Sequence, residues 1–267
     1  AFNSNGFSYG TSGDWSNGTH VAWQWQAGQG STSSNTSGSI TSTVSVNTTA
    51  GFSVVTYTGN STSGATVGHG LGVTPSMIIL KSRSFGDTGW AVKHKNLSSG
   101  NNLRLNTTAA QGTLDGYGVI ADLNSSTTFT LTSGGAGNTN VNNSGSTYVA
   151  YCWAEIAGFS KFGSYTGNGS TDGPFVYLGF RPKFVMIKEY TQAGDYWMIL
   201  DTSRDTYNIA SAQIYPNASS AESSTGTLDM LSNGFKLRYT GGYGNNSGQS
   251  YIYAAFAENP FKNANAR

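Results

Sequence analysis

Glu155 and Glu258 stand at equivalent places in two related stretches, each just beyond an aromatic-rich apolar run. Paired carboxylates are the usual equipment of glycoside hydrolysis, which needs them roughly 5 to 9.5 Å apart. Because these two belong to different repeats, the expectation for each is a strand-end salt bridge or a carboxylate that accepts turn amides. His20, His69 and His94 are the three histidines, and neither metal-ligand spacing nor an adjacent carboxylate accompanies them. His69 falls between glycines and is expected to be exposed in a loop. His94 ends a strand, at a position taken by Asp201 in the second repeat. Asp201, Arg204 and Asp205 can organise a loop by bidentate pairing or line a sugar or calcium site, although the regular oxygen spacing of a calcium loop is missing. No catalytic residue, metal or cofactor is therefore expected, and the chain is read as a non-enzyme.

The aromatic residues point elsewhere. There are 15 Tyr and 6 Trp, and Trp15, Tyr117, Tyr190, Tyr196, Tyr207 and Tyr243 fall in Gly-rich loops. Flat amphipathic rings beside Asn, Asp and Thr stack on sugar faces while their polar neighbours bond hydroxyls. Tyr190, Tyr196, Tyr207 and Tyr243, with Asp201, are the candidate ligand-binding residues. The competing reading is that these rings pack at an interface between repeats or subunits, where Tyr and Trp are also enriched.

These residues sit on a chain that repeats itself. NSGSTYVAYCWAEIAG at 143–158 returns as NNSGQSYIYAAFAENPF near the C-terminus, so that Tyr148, Tyr151, Trp153 and Glu155 match Tyr251, Ala254, Phe256 and Glu258. A weaker copy, THVAWQWQAG, lies at 19–28. Tyr57-Thr58-Gly59-Asn60 recurs as Tyr165-Thr166-Gly167-Asn168, and Pro75 and Pro182 are separated by the same 107 positions as Trp90 and Trp197. Constant spacing of this kind marks tandem structural units. We expect one at 51–157 and a second at 158–267, preceded by residues 1–50 as the end of an earlier unit plus a linker.

Apolar residues arrive in bursts of four to eight bounded by Gly, Asn and Ser, which is strand and turn spacing, and no segment has helical periodicity. The predicted fold is all-β: two tandem antiparallel β-sandwiches of jelly-roll-like type, with almost no helix. Met77–Leu80 reads as a central buried strand. Val21–Ala27 puts Val21, Trp23 and Trp25 on one side and Ala22, Gln24 and Gln26 on the other, and either closes a truncated earlier unit or packs on the flank of the first complete one. Ile40–Val46 alternates loosely, as an exposed edge or inter-unit strand does. Asn233-Gly234 is a candidate type I′ hairpin turn.

Composition excludes several classes. With 14 Lys and Arg against 13 Asp and Glu, the net charge of +1 gives no electrostatic case for nucleic acid. No apolar run is long enough for a membrane helix. Cys152, the single cysteine, matches Ala255 in the second unit, so a small buried side chain is expected there. The sequons at Asn17, Asn47, Asn60, Asn96, Asn124 and Asn168 follow from the Asn, Ser and Thr content. The first residues, AFNSNGFSYG, read as an internal cut in a longer polypeptide.

GFSVVTYTGN, VGHGLGVTPSMIILK, TYVAYCWAEIAGFSKFGSYTGNGSTDGPFVYLGFRPKFVMIK, LSNGFKLR and YIYAAFAENPF together resemble a repeat region of tail-associated and other virion proteins of marine bacteriophages. The resemblance covers nearly the whole chain, including the GSITSTVSVNTTAGFS lead-in, and brings no catalytic motif with it. It implies a virion-surface, extracellular location and a role in host attachment. Its implied partners are further copies of the chain, trimers being common among tail appendages, other virion proteins and a host surface glycan. A purely structural virion or filament element is the alternative, and a polysaccharide depolymerase the third reading.

Overall fold

The computed structural model describes residues 2–3, 6–10, 18–84, 86, 88–114, 118–132 and 140–259. Trp15, Tyr117, the Ser16-Asn17 part of the first turn and the Gly-rich stretch 133–139 lie outside the described residues. Along the chain run β1 (Phe2–Asn3), β2 (Gly6–Phe7), β3 (Ser33–Asn35), β4 (Ser42–Asn47), β5 (Phe52–Thr58), β6 (Ala65–Gly68), β7 (Met77–Ser82), β8 (Ala91–His94), β9 (Leu103–Arg104), β10 (Thr128–Leu131) and β11 (Thr147–Trp153). The second half holds β12 (Ser160–Thr166), β13 (Phe175–Tyr177), β14 (Pro182–Glu189), β15 (Met198–Asp201), β16 (Ala210–Gln213), β17 (Ser223–Leu231), β18 (Gly234–Leu237), the single turn α1 (Gly242–Asn245) and β19 (Ser250–Ala257). The fold is essentially all-β. Its strand pairs are antiparallel, and no sheet closes into a barrel.

Both halves repeat one plan. The last strand of each returns to the middle of its sheet, giving the orders β3-β4-β5-β11-β7-β8-β9 and β12-β19-β14-β15. A second sheet, the two-stranded β6-β10 in the first half and the four-stranded β13-β18-β17-β16 in the second, covers one face. The second half has no counterpart of β3 and β4, so β12 is an edge strand, and the Glu155 carboxylate accepts the Phe162 amide there at 3.2 Å.

Side chains alternate across a strand, so each long strand serves two cores. In β11, Tyr148, Ala150 and Cys152 face the covering sheet, whereas Trp153 and Tyr151 face the other way. In β19, Tyr251, Tyr253 and Ala255 face their own covering sheet, whereas Ile252, Ala254 and Phe256 face away. The two outward faces pack on each other. The result is four layers, with a third core between the central sheets built from Phe52, Met77, Ile79 and Trp153 on one side and Phe162, Phe184, Met186 and Phe256 on the other. Strands covered on both faces are apolar without interruption, which is why Met77–Leu80 and Phe184–Ile187 read as continuous runs.

Polar links cross the same joint. The Trp197 indole donates to the Arg104 carbonyl at 2.9 Å, His94 Nε2 lies 3.2 Å from the Tyr253 carbonyl oxygen, and the Gln111 and Gly194 amides donate to Tyr190 and Thr108, each at 2.9 Å.

The motifs that reveal the repeat form a clasp at one end of each sheet. Asn142 donates to Asn60 Oδ1 at 3.1 Å and to the Thr62 carbonyl at 2.9 Å, while its own Oδ1 accepts the Asn60 amide at 2.9 Å. Asn245 makes the same three contacts, to Asn168 Oδ1 at 3.3 Å, the Ser170 carbonyl at 2.8 Å and from the Asn168 amide at 2.9 Å. Tyr57 stacks on Tyr148 and Tyr165 on Tyr251, each pair with centroids 5.1 Å apart. A Cβ at Gly59 would strike the Asn143 carbonyl oxygen, and one at Gly167 the Asn246 oxygen, so the loop closes only over glycine.

Three expectations change. Val21–Ala27 is extended but joins no sheet: its Trp residues lie over the rim of the joint between the halves. Ile40–Val46 is no exposed edge, since β4 is flanked by β3 and β5. The β17–β18 hairpin turns at Ser232-Asn233, Leu231 being paired with Gly234. Neither turn residue has positive φ, so the turn is not type I′. Gly234 is needed because a Cβ there would strike the Val176 carbonyl oxygen.

Replacing Asn142 or Asn245 by Ala strands several buried backbone groups at once. Each variant is expected to lose about 3 kcal/mol in denaturant unfolding, with nearly equal effects in the two halves because the contacts match.

Candidate functional site

Tyr196 and Tyr243 meet, with centroids 4.8 Å apart, and Tyr215 joins them at 5.1 and 5.5 Å. Tyr215 belongs to the second core, and the half-buried Tyr196 and Tyr243 pack against it. Burial and then the neighbouring Tyr196 push the Tyr243 hydroxyl up. Nearby Asp195, raised by burial and by Glu189, lies 3.4 Å from the Asn246 amide nitrogen. Tyr207 stands apart at 85% exposure. Tyr190 is turned into the joint between the halves. The Asp201 carboxylate is already occupied: it accepts the Trp23 indole at 3.1 Å, Arg204 Nε at 2.7 Å and the Ser203 and Arg204 amides at 3.0 Å each. Arg204 continues to Glu222 at 2.8 Å, and the guanidinium lies over the Trp23 ring at 5.8 Å. Of the five candidates, the fold thus brings together only Tyr196 and Tyr243.

A groove of about 890 Å³ opens elsewhere, where the segment 24–26 runs past the β4–β5 turn and the β11–β12 connection. Trp25, Phe52 and Phe159 provide its rings, and Gln24, Gln26, Thr48, Thr49 and Glu155 its polar groups. The four neutral side chains make no hydrogen bond among the described residues, so their donors and acceptors are open to a ligand. Asn47 fixes the turn instead, donating to the Gln26 carbonyl at 3.2 Å and accepting the Ala50 amide at 3.0 Å. Glu155, the one carboxylate in the lining, pairs with Lys95 at 2.7 Å. Its counterpart Glu258 pairs with Arg181 at 3.4 Å, so both are strand-end salt bridges. Sequence reasoning missed this groove because its walls come from three separated stretches, although the alternation of Trp25 with Gln24 and Gln26 carried part of the signal.

Beside the groove, sharing Trp25 with it, is a wholly apolar cavity of about 180 Å³ between the two central sheets.

The histidines form no centre. Among the described residues no group of three or more His, Cys, Asp or Glu could hold a metal. His20 is exposed, 6.5 Å from the Tyr9 ring. His69 is fully buried and not exposed as expected: its Nδ1 accepts the Leu71 amide at 3.2 Å, turning the ring back into its own loop. Burial lowers its pKa. His94 is buried as well, and burial lowers its pKa to about 3 against the opposing Tyr253 carbonyl, with Lys95 adding a smaller lowering. Its Nδ1 accepts the Asn96 amide at 3.2 Å, which leaves Nε2 as the donor across the joint. Cys152 is buried in the first core, and burial pushes the thiol up to about 12. Among the described residues no helix is long and apolar enough to cross a membrane.

A family model described as a domain of unknown function (DUF7483) matches residues 1–260, and the chain belongs to that family. No curated protein and no solved structure matches the chain.

With folded pKa values below the unfolded value of about 6.5, His69 and His94 leave the unfolded chain binding more protons as the pH falls. Their contribution is complete above pH 6.5 and is lost on acidification, with His94 accounting for roughly 4 kcal/mol by pH 3. Urea unfolding between pH 7 and 4 should show this decline, and His94→Gln, which keeps a donor but does not titrate, should flatten it. Cys152 should react with a thiol reagent only at the rate of unfolding.

Proposed function

We propose that this chain is a host-attachment segment of a virion surface protein, built of two tandem units, which binds a host surface polysaccharide in the groove between Gln24, Gln26, Thr48 and Trp25. The observation that carries the reading is the lining of that groove. Two half-buried rings, Trp25 and Phe159, lie over a floor that includes buried Phe52 and beside four neutral polar side chains with no partner of their own, a combination that stacks on sugar faces and bonds their hydroxyls. The resemblance of the repeat motifs to tail-associated virion proteins supports the location. Repetition along a fibre and across the subunits of an oligomer would convert weak individual contacts into avidity.

Binding without cleavage is the form this proposal takes. Hydrolysis of a glycosidic bond needs two carboxylates, and the groove lining contributes Glu155 alone, already held by Lys95. A purely structural role is the second reading, favoured by the packing of Tyr196, Tyr215 and Tyr243 on one another, which uses ring surface that a sugar would need.

The test is a glycan array and a host-envelope polysaccharide panel, scored for both binding and chain shortening. Saturable binding without shortening is expected, with Gln24→Ala combined with Gln26→Ala weakening it by roughly tenfold and Tyr207→Ala leaving it unchanged. Binding lost instead in Tyr196→Ala or Tyr243→Ala would move the site to the tyrosine trio. Shortening would establish a depolymerase, and no binding to any polymer would leave the structural role.

A further inference from the structure

The two central sheets do not fill the space between them. Tyr151 of the first repeat corresponds to Ala254 of the second, and both residues face the joint. Ala254 sits between Phe162 in β12 and Met186 in β14, its register partners. A methyl group where the sister repeat carries a phenol ring leaves room, and the 180 Å³ cavity lies here, with walls that expose no polar atom.

We propose that this cavity is a binding site for a small hydrocarbon of single-aromatic-ring size. Water is held poorly against these walls, because an ordered water needs two to four polar partners and none lines the space. Size fits the ligand class: an engineered apolar cavity of about 150 Å³ in an unrelated protein stays dry and takes benzene or xenon. The walls also suit a ring, since Trp153, Phe162 and Phe184 offer edges and faces, and Met77 and Met186 offer polarisable sulfur and adjustable side chains.

The outer wall is the segment that carries Trp23 and Trp25, both of which line the cavity, and the cavity is open to solvent on one side. This segment belongs to no sheet. It is held by ring contacts, with Trp25 5.4 Å from Phe184 and 5.3 Å from Phe256, and by the Trp23 indole bond to Asp201. Lifting it breaks no strand ladder. Exposed Pro216 also lines the cavity and marks its outer end. The inference does not depend on the polysaccharide reading, since it uses none of the polar groups of the groove.

Toluene titrated into the intact chain, followed by calorimetry and by tryptophan fluorescence, tests the proposal, with xenon binding as a parallel probe. One saturable site is expected, with a Kd on the order of 0.1 to 1 mM and a rise in the thermal midpoint. Ala254→Leu, which restores bulk at the position of the sister tyrosine, should unfold cooperatively and bind toluene at least tenfold more weakly. Ile79→Phe fills the same space from the opposite sheet and gives the same reading should the first variant fail to fold. Absence of saturable binding by the unaltered chain, or unchanged affinity in either folded variant, would overturn the proposal.

Discussion

The packing of one central sheet on the other is the constraint on which the rest of this structure depends. Two sheets that each bury one face on a covering sheet still have a second apolar face, and here each half covers the other's. Within the first half Phe52 stacks on Trp153 with centroids 5.1 Å apart, within the second Phe184 and Phe256 meet edge to face at 5.9 Å, and across the joint His94 lies 6.2 Å from the Phe162 ring. Burial of large rings supplies the driving force, at about 1.5 to 3 kcal/mol for a fully buried apolar side chain. The hydrogen bonds from Trp197 and His94 then fix orientation, because a buried donor without its acceptor is costly. The halves form one packed body whose middle is more aromatic than either end.

That joint also explains where concave surface arises. Repeated elements fill their own cores well: the Tyr57–Tyr148 and Tyr165–Tyr251 stacks and the Asn142 and Asn245 clasps match contact for contact. Openings appear where the repeat is broken. The groove lies where the segment 24–26 meets the connection between the halves, and the apolar cavity lies where Ala254 departs from Tyr151. Trp25 lines both, so one ring stands between a polar groove and an apolar pocket.

Charged residues follow the same division of labour. Asp201, Arg204 and Glu222 form a chain that anchors the Trp23 segment, and Glu155 and Glu258 tie down the ends of the two middle strands. These are structural uses of residues whose types alone could equally have served a reaction. What the groove leaves open is neutral: Gln24, Gln26, Thr48 and Thr49 around aromatic rings. A neutral polar lining recognises neutral hydroxyls better than ions, because an amide both donates and accepts and has no charge to desolvate.

The sequence by itself determined the all-β class, most strand positions, the internal repeat and the burial of Cys152, since each follows from local periodicity or from a comparison of one stretch with another. The hairpin signal at Asn233-Gly234 implies a strand before it, but the Ser, Thr and Gly content of 223–227 gives no periodicity from which its full length could be read; β16 and β18 pair with its two edges. The sequence placed His69 outside, where flanking glycines read as a loop, although the loop folds inward. Motif spacing located the clasps without showing what they were, because Asn60 and Asn142 lie 82 positions apart and meet only after β11 has inserted between β5 and β7. Tertiary structure alone decided that the two central sheets stack face to face, that Asp201 also takes the Trp23 indole, and that an opening exists beside Trp25. Alternation along a strand tells which residues share a face, but not which other surface that face will meet.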